Sequence, residues 1–198
     1  MAVPSPSPPG SGAKAELRAE LRARRRAYAA SLAPDTRGAL EAALAAVLAP
    51  LLPGARVVAA YQPMKDEISP LPLLDRARAM GLETGLPAFA DRDARMTFRA
   101  GAATEAGPWG LLQPPLANPP MVPDLILVPL VGCDPAGNRI GMGQGHYDRA
   151  LEGLRANARL VGVGWDFQLI DTQITADPWD QRLDAFASPA GLKEFARA

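Results

Sequence analysis

Residues 125–130, Leu-Ile-Leu-Val-Pro-Leu, form an unbroken apolar run that starts after Asp124 and ends shortly before a glycine-rich loop. A strand that is apolar at every position has to be covered on both faces, the condition of an inner strand in a parallel sheet. A helix is expected to begin near Tyr147, and residues 160–164 supply the next strand. Strand, crossover helix and strand make a βαβ unit, so the expected fold class is an α/β sandwich.

The rest of the pattern agrees with alternating elements. Residues 14–30 read as an amphipathic helix with Leu17, Leu21 and Tyr28 on one stripe and Lys14, Arg18, Arg22 and Arg25 on the adjacent face. A second helix is expected over 36–49, started by Pro34 and Asp35 and stopped before Pro53 and Gly54. Residues 57–61 read as a short buried strand. Ser69 is expected to cap a third helix, with Pro70 in its first turn and Gly81 closing it after Met80. Residues 82–89 and 95–99 read as further strands. No repeat of 20–50 residues and no heptad array occurs, which excludes solenoids and coiled coils.

Length and composition exclude several classes. A chain of 198 residues with 48% hydrophobic and 21% charged residues fits one domain. Residues 1–12, Pro/Ser/Gly-rich and uncharged, are expected to be a disordered tail preceding a single domain over 13–198. One cysteine, Cys133, and one histidine, His146, rule out an internal disulfide or a structural zinc set. Cys133 is expected as a small buried apolar residue. The N-terminus lacks the pattern of a signal peptide, and no stretch is expected to approach the roughly 20 apolar residues of a membrane span. A cytoplasmic protein without a membrane partner is the expectation. Nucleic-acid binding is disfavoured by overall neutrality, 21 basic against 21 acidic side chains, and by the lack of a recognisable RNA-binding signature.

Neutrality hides an asymmetry. Residues 14–26 carry six cations against Glu16 and Glu20, while 166–184 carry Asp166, Asp171, Asp177, Asp180 and Asp184 against Arg182 alone. A fold that joined these segments would set a cationic wall against an acidic one, an arrangement suited to a magnesium nucleotide.

The chemistry is expected in residues 134–151, Asp-Pro-Ala-Gly-Asn-Arg-Ile-Gly-Met-Gly-Gln-Gly-His-Tyr-Asp-Arg-Ala-Leu. Gly141, Gly143 and Gly145 strip side chains from one loop where a helix starts, so backbone N–H groups can surround phosphate oxygens. The spacing is neither the dinucleotide fingerprint, because position 146 is His, nor a Walker A motif. Arg139 either forks onto a phosphate or makes a surface salt bridge. Asp148 is either an ordinary acid at a helix start or, beside a phosphate loop, a magnesium ligand, with Asp180 as a distant second carboxylate.

The same run, with DLILVP before it and VGVGWDFQLI after it, resembles the 5-formyltetrahydrofolate cyclo-ligase family, also called methenyltetrahydrofolate synthetases. KAELR, YQPMKDEI, WGLLQPP and DPWDQRLD extend the likeness from Lys14 to about Ser188. Met142, Gln144, His146 and Gln113 depart from the residues common in the family, where 146 is usually tyrosine and 113 often glutamate.

The resemblance implies a single-domain three-layer α/β/α sandwich, Rossmann-like with a largely parallel sheet. It implies ATP- and Mg2+-dependent conversion of 5-formyltetrahydrofolate to 5,10-methenyltetrahydrofolate, with release of ADP and phosphate. A non-catalytic nucleotide- or folate-binding module is the alternative. Lys14 and Arg18, one turn apart on a helix face, would bind ATP together with Arg139, Ile140, Gly141, Met142, Gly143, Gln144, Gly145, His146 and Tyr147. Glu67 and Trp109 would bind the folate, together with Met142 to His146, and Trp109 and Tyr147 are candidates to stack on the pterin. Arg139 and Tyr147 would be catalytic, and Asp148 and Asp180 would hold magnesium. A monomer is expected, with ATP and 5-formyltetrahydrofolate as its partners.

Overall fold

The computed structural model describes residues 11–196. Its elements run α1 (Ser11–Ser31), α2 (Pro34–Leu48), β1 (Val57–Ala59), α3 (Leu71–Ala79), β2 (Glu83–Ala88), β3 (Thr97–Ala100), β4 (Glu105–Ala106), β5 (Leu112–Gln113), β6 (Pro120–Met121), β7 (Leu125–Pro129), β8 (Gly132–Cys133), β9 (Arg139–Ile140), α4 (His146–Glu152), β10 (Arg159–Val163), β11 (Ala185–Ser188) and β12 (Gly191–Glu194). The main sheet has the order β12-β11-β10-β7-β1-β2-β3-β6. Its five inner strands, β11 to β2, are parallel, and antiparallel strands close both sides. The sheet is therefore largely parallel, as expected.

The apolar run at 125–130 shows why the layers form. Leu125 and Leu127 pack into one cluster with Leu44, Leu48 and Leu52 of the α2 segment and Leu73 and Leu74 of α3. Ile126 and Val128 point to the other face, against Ala150 and Leu151 of α4 and Leu160 and Phe186. Successive strand side chains alternate between faces, so an all-apolar strand supplies both cores. Each such side chain contributes roughly 1.5–3 kcal/mol by leaving water.

Local differences from the sequence reading have local causes. Ser11 and Gly12 belong to α1 rather than to the tail; residues 1–10 lie outside the described residues. At α3 the helix starts one residue later than expected: Pro70 takes the cap position, and Ser69 Oγ accepts from Leu71 N at 3.3 Å. Gly81 closes α3 as expected, its N–H bonding to Arg78 O. The expectation that no segment has the length and apolarity of a membrane span needs correction. Residues Pro34–Gly54, α2 with a following 3-10 turn, span 21 residues and contain an 18-residue window of mean hydropathy 1.2. Core packing explains the composition, since Leu44, Leu48 and Leu52 are fully buried against the sheet.

Strand order locates the site. From β1 the chain moves to β2 on one side, whereas β7 leads to β10 on the other, so the order switches between β1 and β7. Open α/β sheets bind ligands outside the carboxyl ends of strands at such a point. Here a third apolar cluster, Leu21, Val131, Ile140 and Ile174, fastens α1 to the segment beyond β7.

Candidate active site

A cavity of about 670 Å³ opens at the switch point, between Tyr61 and Gln62 after β1 and Pro129 and Leu130 at the end of β7. Every residue assigned a ligand role from sequence lines it except Ile140, whose side chain is fully buried in the third core cluster. Ile140 alternates with Arg139 on β9, so one side chain enters the core and the other turns to the cavity.

The β8–β9 hairpin carries Arg139. Its turn is built on Asp134, whose carboxylate accepts from Ala136 N, Asn138 N and Asn138 Nδ2, each at 2.9 Å, and from Ile174 N at 2.9 Å. Sequence reasoning passed over Asp134, although Asp-Pro-Ala-Gly-Asn is a turn signature in which Asp bonds the backbone ahead of it. Arg139, nearly buried, donates to Asp148 Oδ1 at 2.6 Å from Nη2, and its Nε has no partner among the described residues. The salt-bridge alternative thus exists, but inside the cavity wall rather than on the surface.

The glycine loop follows. Gly143 at φ +93° and Gly145 at φ +65° adopt backbone that other residues resist, and Gly145 is the residue preceding α4. A Cβ at Gly143 would touch the Arg18 guanidinium, whose Nε donates to Gly141 O at 2.9 Å. The cation from α1 therefore lies against the loop.

The two oppositely charged segments meet as the charge asymmetry anticipated. Lys14 Nζ binds Asp177 at 2.9 Å and Asp180 at 2.7 Å. Burial disfavours its charge, but the bonds to Asp180 and Asp177 outweigh that and raise its pKa. Gln181 N approaches Asp148 Oδ1 at 3.5 Å, which sets the Asp180 segment beside α4. Asp148 and Asp180, 32 residues apart, thus share one wall. Among the described residues no three His, Cys, Asp or Glu side chains cluster as a metal site. Magnesium asks for less, one or two carboxylates with water and phosphate oxygens completing the octahedron; both carboxylates line the cavity, Asp148 paired with Arg139 and Asp180 with Lys14.

Another part of the wall is aromatic. Trp109, Phe89 and His146 meet with ring centroids 5.0–5.3 Å apart. Trp109 remains 45% exposed and, among the described residues, is the only non-glycine at positive φ, +63°. Such strain persists where surrounding structure enforces it, often at ligand sites. Burial, with Arg149 adding, lowers the His146 pKa, so the ring is neutral at pH 7. Gln113 has a structural role: its amide accepts from Phe89 N and donates to Phe89 O, both at 3.0 Å. A glutamate could not make the second bond.

Tyr147 packs against both main cores and its hydroxyl has no partner among the described residues. Burial raises its pKa far above the ordinary phenol range, and the nearby Glu67 charge adds to this while Arg139 opposes it. The phenol is therefore a neutral O–H donor. Glu67 is 6% exposed, with Oε2 accepting from Met64 N at 2.9 Å and Oε1 from the buried Arg25 at 3.2 Å. Cys133 is buried and its thiol is pushed up to about 12, chiefly by burial, as its inert assignment required. Sequence reasoning missed Trp179, 65% exposed at the cavity rim, and the partners of Arg25.

Residues 10–189 match the family model described as the 5-formyltetrahydrofolate cyclo-ligase family. A 5-formyltetrahydrofolate cyclo-ligase of Mycolicibacterium smegmatis is 33% identical over 148 residues, covering 68% of this chain and 74% of that protein. The NMR structure of Aquifex aeolicus 5,10-methenyltetrahydrofolate synthetase superposes with a TM-score of 0.76 at 26% identity, covering 93% of this chain and 94% of the other. A Mycoplasma pneumoniae 5,10-methenyltetrahydrofolate synthetase shares the fold at a TM-score of 0.70 and 23% identity, over 89% of this chain and 98% of that one.

Proposed function

We infer the chemistry of the cavity from one premise: the chain belongs to the 5-formyltetrahydrofolate cyclo-ligase family. It is accordingly a ligase of folate one-carbon metabolism that converts 5-formyltetrahydrofolate to 5,10-methenyltetrahydrofolate with ATP.

The formyl oxygen is a poor leaving group. In the proposed path it attacks the γ-phosphorus, forming a P–O bond while the bond to ADP breaks. The substrate's N10 then attacks the activated formyl carbon and gives up its proton, and phosphate departs as the ring closes. Both nucleophiles belong to the substrate, so the protein's task is alignment and charge stabilisation. Lys14, Arg18 and the N–H groups of 141–147 receive the triphosphate. Arg139 faces the transferring phosphoryl group with its unpaired Nε–H, and Tyr147 donates its neutral hydroxyl to a ligand oxygen. Glu67 accepts from adjacent N–H groups of the pterin, and Trp109 stacks on that ring. Asp148 and Asp180 would hold magnesium, which supplies charge neutralisation on the phosphates.

The observation that carries this reading is the convergence on one cavity of the glycine loop, the Lys14–Arg18 pair, the two aspartates and Glu67. The reading extends to a cytoplasmic monomer without nucleic-acid or membrane partners. The exposed Trp109, Leu111, Leu112, Met142 and Trp179 border the cavity, where ligands would cover them, whereas the exposed Met80, Leu116 and Val122 lie outside it. Purified chain incubated with 5-formyltetrahydrofolate and ATP, with and without magnesium, should yield the methenyl chromophore in the near ultraviolet only when ATP and a divalent ion are both present. Folded protein giving no product would overturn the assignment.

A further inference from the structure

Positions 14, 18, 21, 25 and 28 of α1 are spaced four, three, four and three residues apart, which sets them on one helical stripe. Lys14 and Arg18 reach the cavity, Leu21 enters the third core cluster, and Tyr28 packs edge-on against Trp165 and Phe167 at centroid distances of 5.2 and 5.3 Å. Arg25 falls between them, 2% exposed. A buried guanidinium is tolerated only when its donors are satisfied. Its Nε donates to Asp66 Oδ2 at 2.9 Å, and Nη1 is shared between Glu67 Oε1 and Leu130 O, each at 3.2 Å.

We propose that Arg25 is a positioning residue for substrate recognition: it holds the Glu67 carboxylate in the cavity wall and ties it to the helix face that carries Lys14 and Arg18. The proposal rests on the reading of Glu67 as the folate contact. Each Glu67 oxygen uses one lone pair, on Arg25 or on Met64 N, and so keeps another for a ligand N–H. The loop around it is clamped from a second helix, where Arg37 donates to the carbonyls of Lys65 and Glu67. The ionisable groups facing Glu67 are Arg25 from α1, Asp66 beside it, Tyr61 after β1 and Tyr147 from α4. Burial is the largest influence on Glu67 and raises its pKa; the Arg25 charge and the Met64 N–H pull it down, and Asp66 pushes it up.

Protonation removes the Glu67 charge and turns one of its two acceptor oxygens into an O–H donor, so kcat/KM for 5-formyltetrahydrofolate should fall as pH drops through the Glu67 pKa. Removing the Arg25 charge raises that pKa and moves the acid limb to higher pH. Removing the Asp66 charge lowers it and moves the limb to lower pH. The measurement is the pH profile of kcat/KM for 5-formyltetrahydrofolate at saturating ATP, together with KM for ATP, on the wild type, Arg25→Gln, Arg25→Lys and Asp66→Asn.

Arg25→Gln should shift the limb up by about one pH unit and raise KM for the folate about tenfold, with KM for ATP within about twofold of wild type. Lysine at 25 should return the limb towards its wild-type position, and Asp66→Asn should shift it the opposite way. Should Arg25→Gln fail to fold, the Arg25→Lys and Asp66→Asn profiles decide. A limb that does not move in any folded variant, or equal losses towards folate and ATP, would reduce Arg25 to a helix anchor and overturn the proposal. A wild type that makes no methenyl product would overturn the functional reading, and this role with it.

Discussion

Arg155 and Asp184 meet through two hydrogen bonds of 2.6 and 2.9 Å, whereas Arg139 and Asp148 meet through a single one of 2.6 Å. The first pair lies by the amino end of β10, where Asp184 also accepts from Leu160 N at 2.8 Å, and its hydrogen bonds raise the Arg155 pKa. The second lies at the carboxyl ends, with the buried Arg139 Nε unpartnered among the described residues. Both join an arginine to a carboxylate across the fold, yet one is complete and the other unfinished. A buried polar group left unmade costs about 1–3 kcal/mol. The protein bears that cost at the cavity, where a phosphate or a metal would complete the set.

The comparison breaks or sharpens under substitution. The largest effect is expected for Arg139→Lys, which keeps the charge but loses the fork. Turnover should fall by about a thousandfold, the scale of losing a preorganised charge-stabilising donor, while far-ultraviolet circular dichroism stays that of the wild type. Normal turnover would make Arg139 as structural as Arg155. Next, Asp184→Asn should destabilise by about 1–2 kcal/mol, the cost of weakening hydrogen bonds to a buried carboxylate whose arginine partner is half-buried, and leave activity per folded molecule unchanged; urea melts and titrated active protein read the two quantities. The smallest effect is expected for Asp148→Asn: about a tenfold loss at limiting magnesium, partly recovered by excess magnesium through mass action. Activity insensitive to magnesium in that variant would remove Asp148 from the metal assignment.

Much of the fold was legible because its signals are periodic. The run at 125–130, the helix of α1 and the Gly81 stop each depend on residues near in sequence, and all three appear in the structure; the faces of α1 differ from the sequence reading, because Arg25, expected on the basic face, is buried. The glycine loop was legible for a similar reason, since three side-chain deletions before a helix are a local statement about backbone access. Strands β8 and β9 were not read, being two residues each and held by a turn whose anchor, Asp134, also binds Ile174 from a distant segment. Strands β11 and β12, at four residues each, offered too little pattern to separate from loop.

Arg25 marks the boundary between what the sequence determined and what tertiary structure decided. The sequence determined that residues 14–30 are a basic amphipathic helix, because side-chain spacing alone sets which residues share a face. It also determined that an all-apolar strand lies inside a parallel sheet, with a glycine-rich loop after it. Which cation on that helix is solvated, which reaches the cavity and which is buried against Glu67 depended on what the rest of the chain brings alongside. An arginine's charge is the same in every setting, and only the partners packed around it, Asp66, Glu67 and the Leu130 carbonyl here, make its burial affordable.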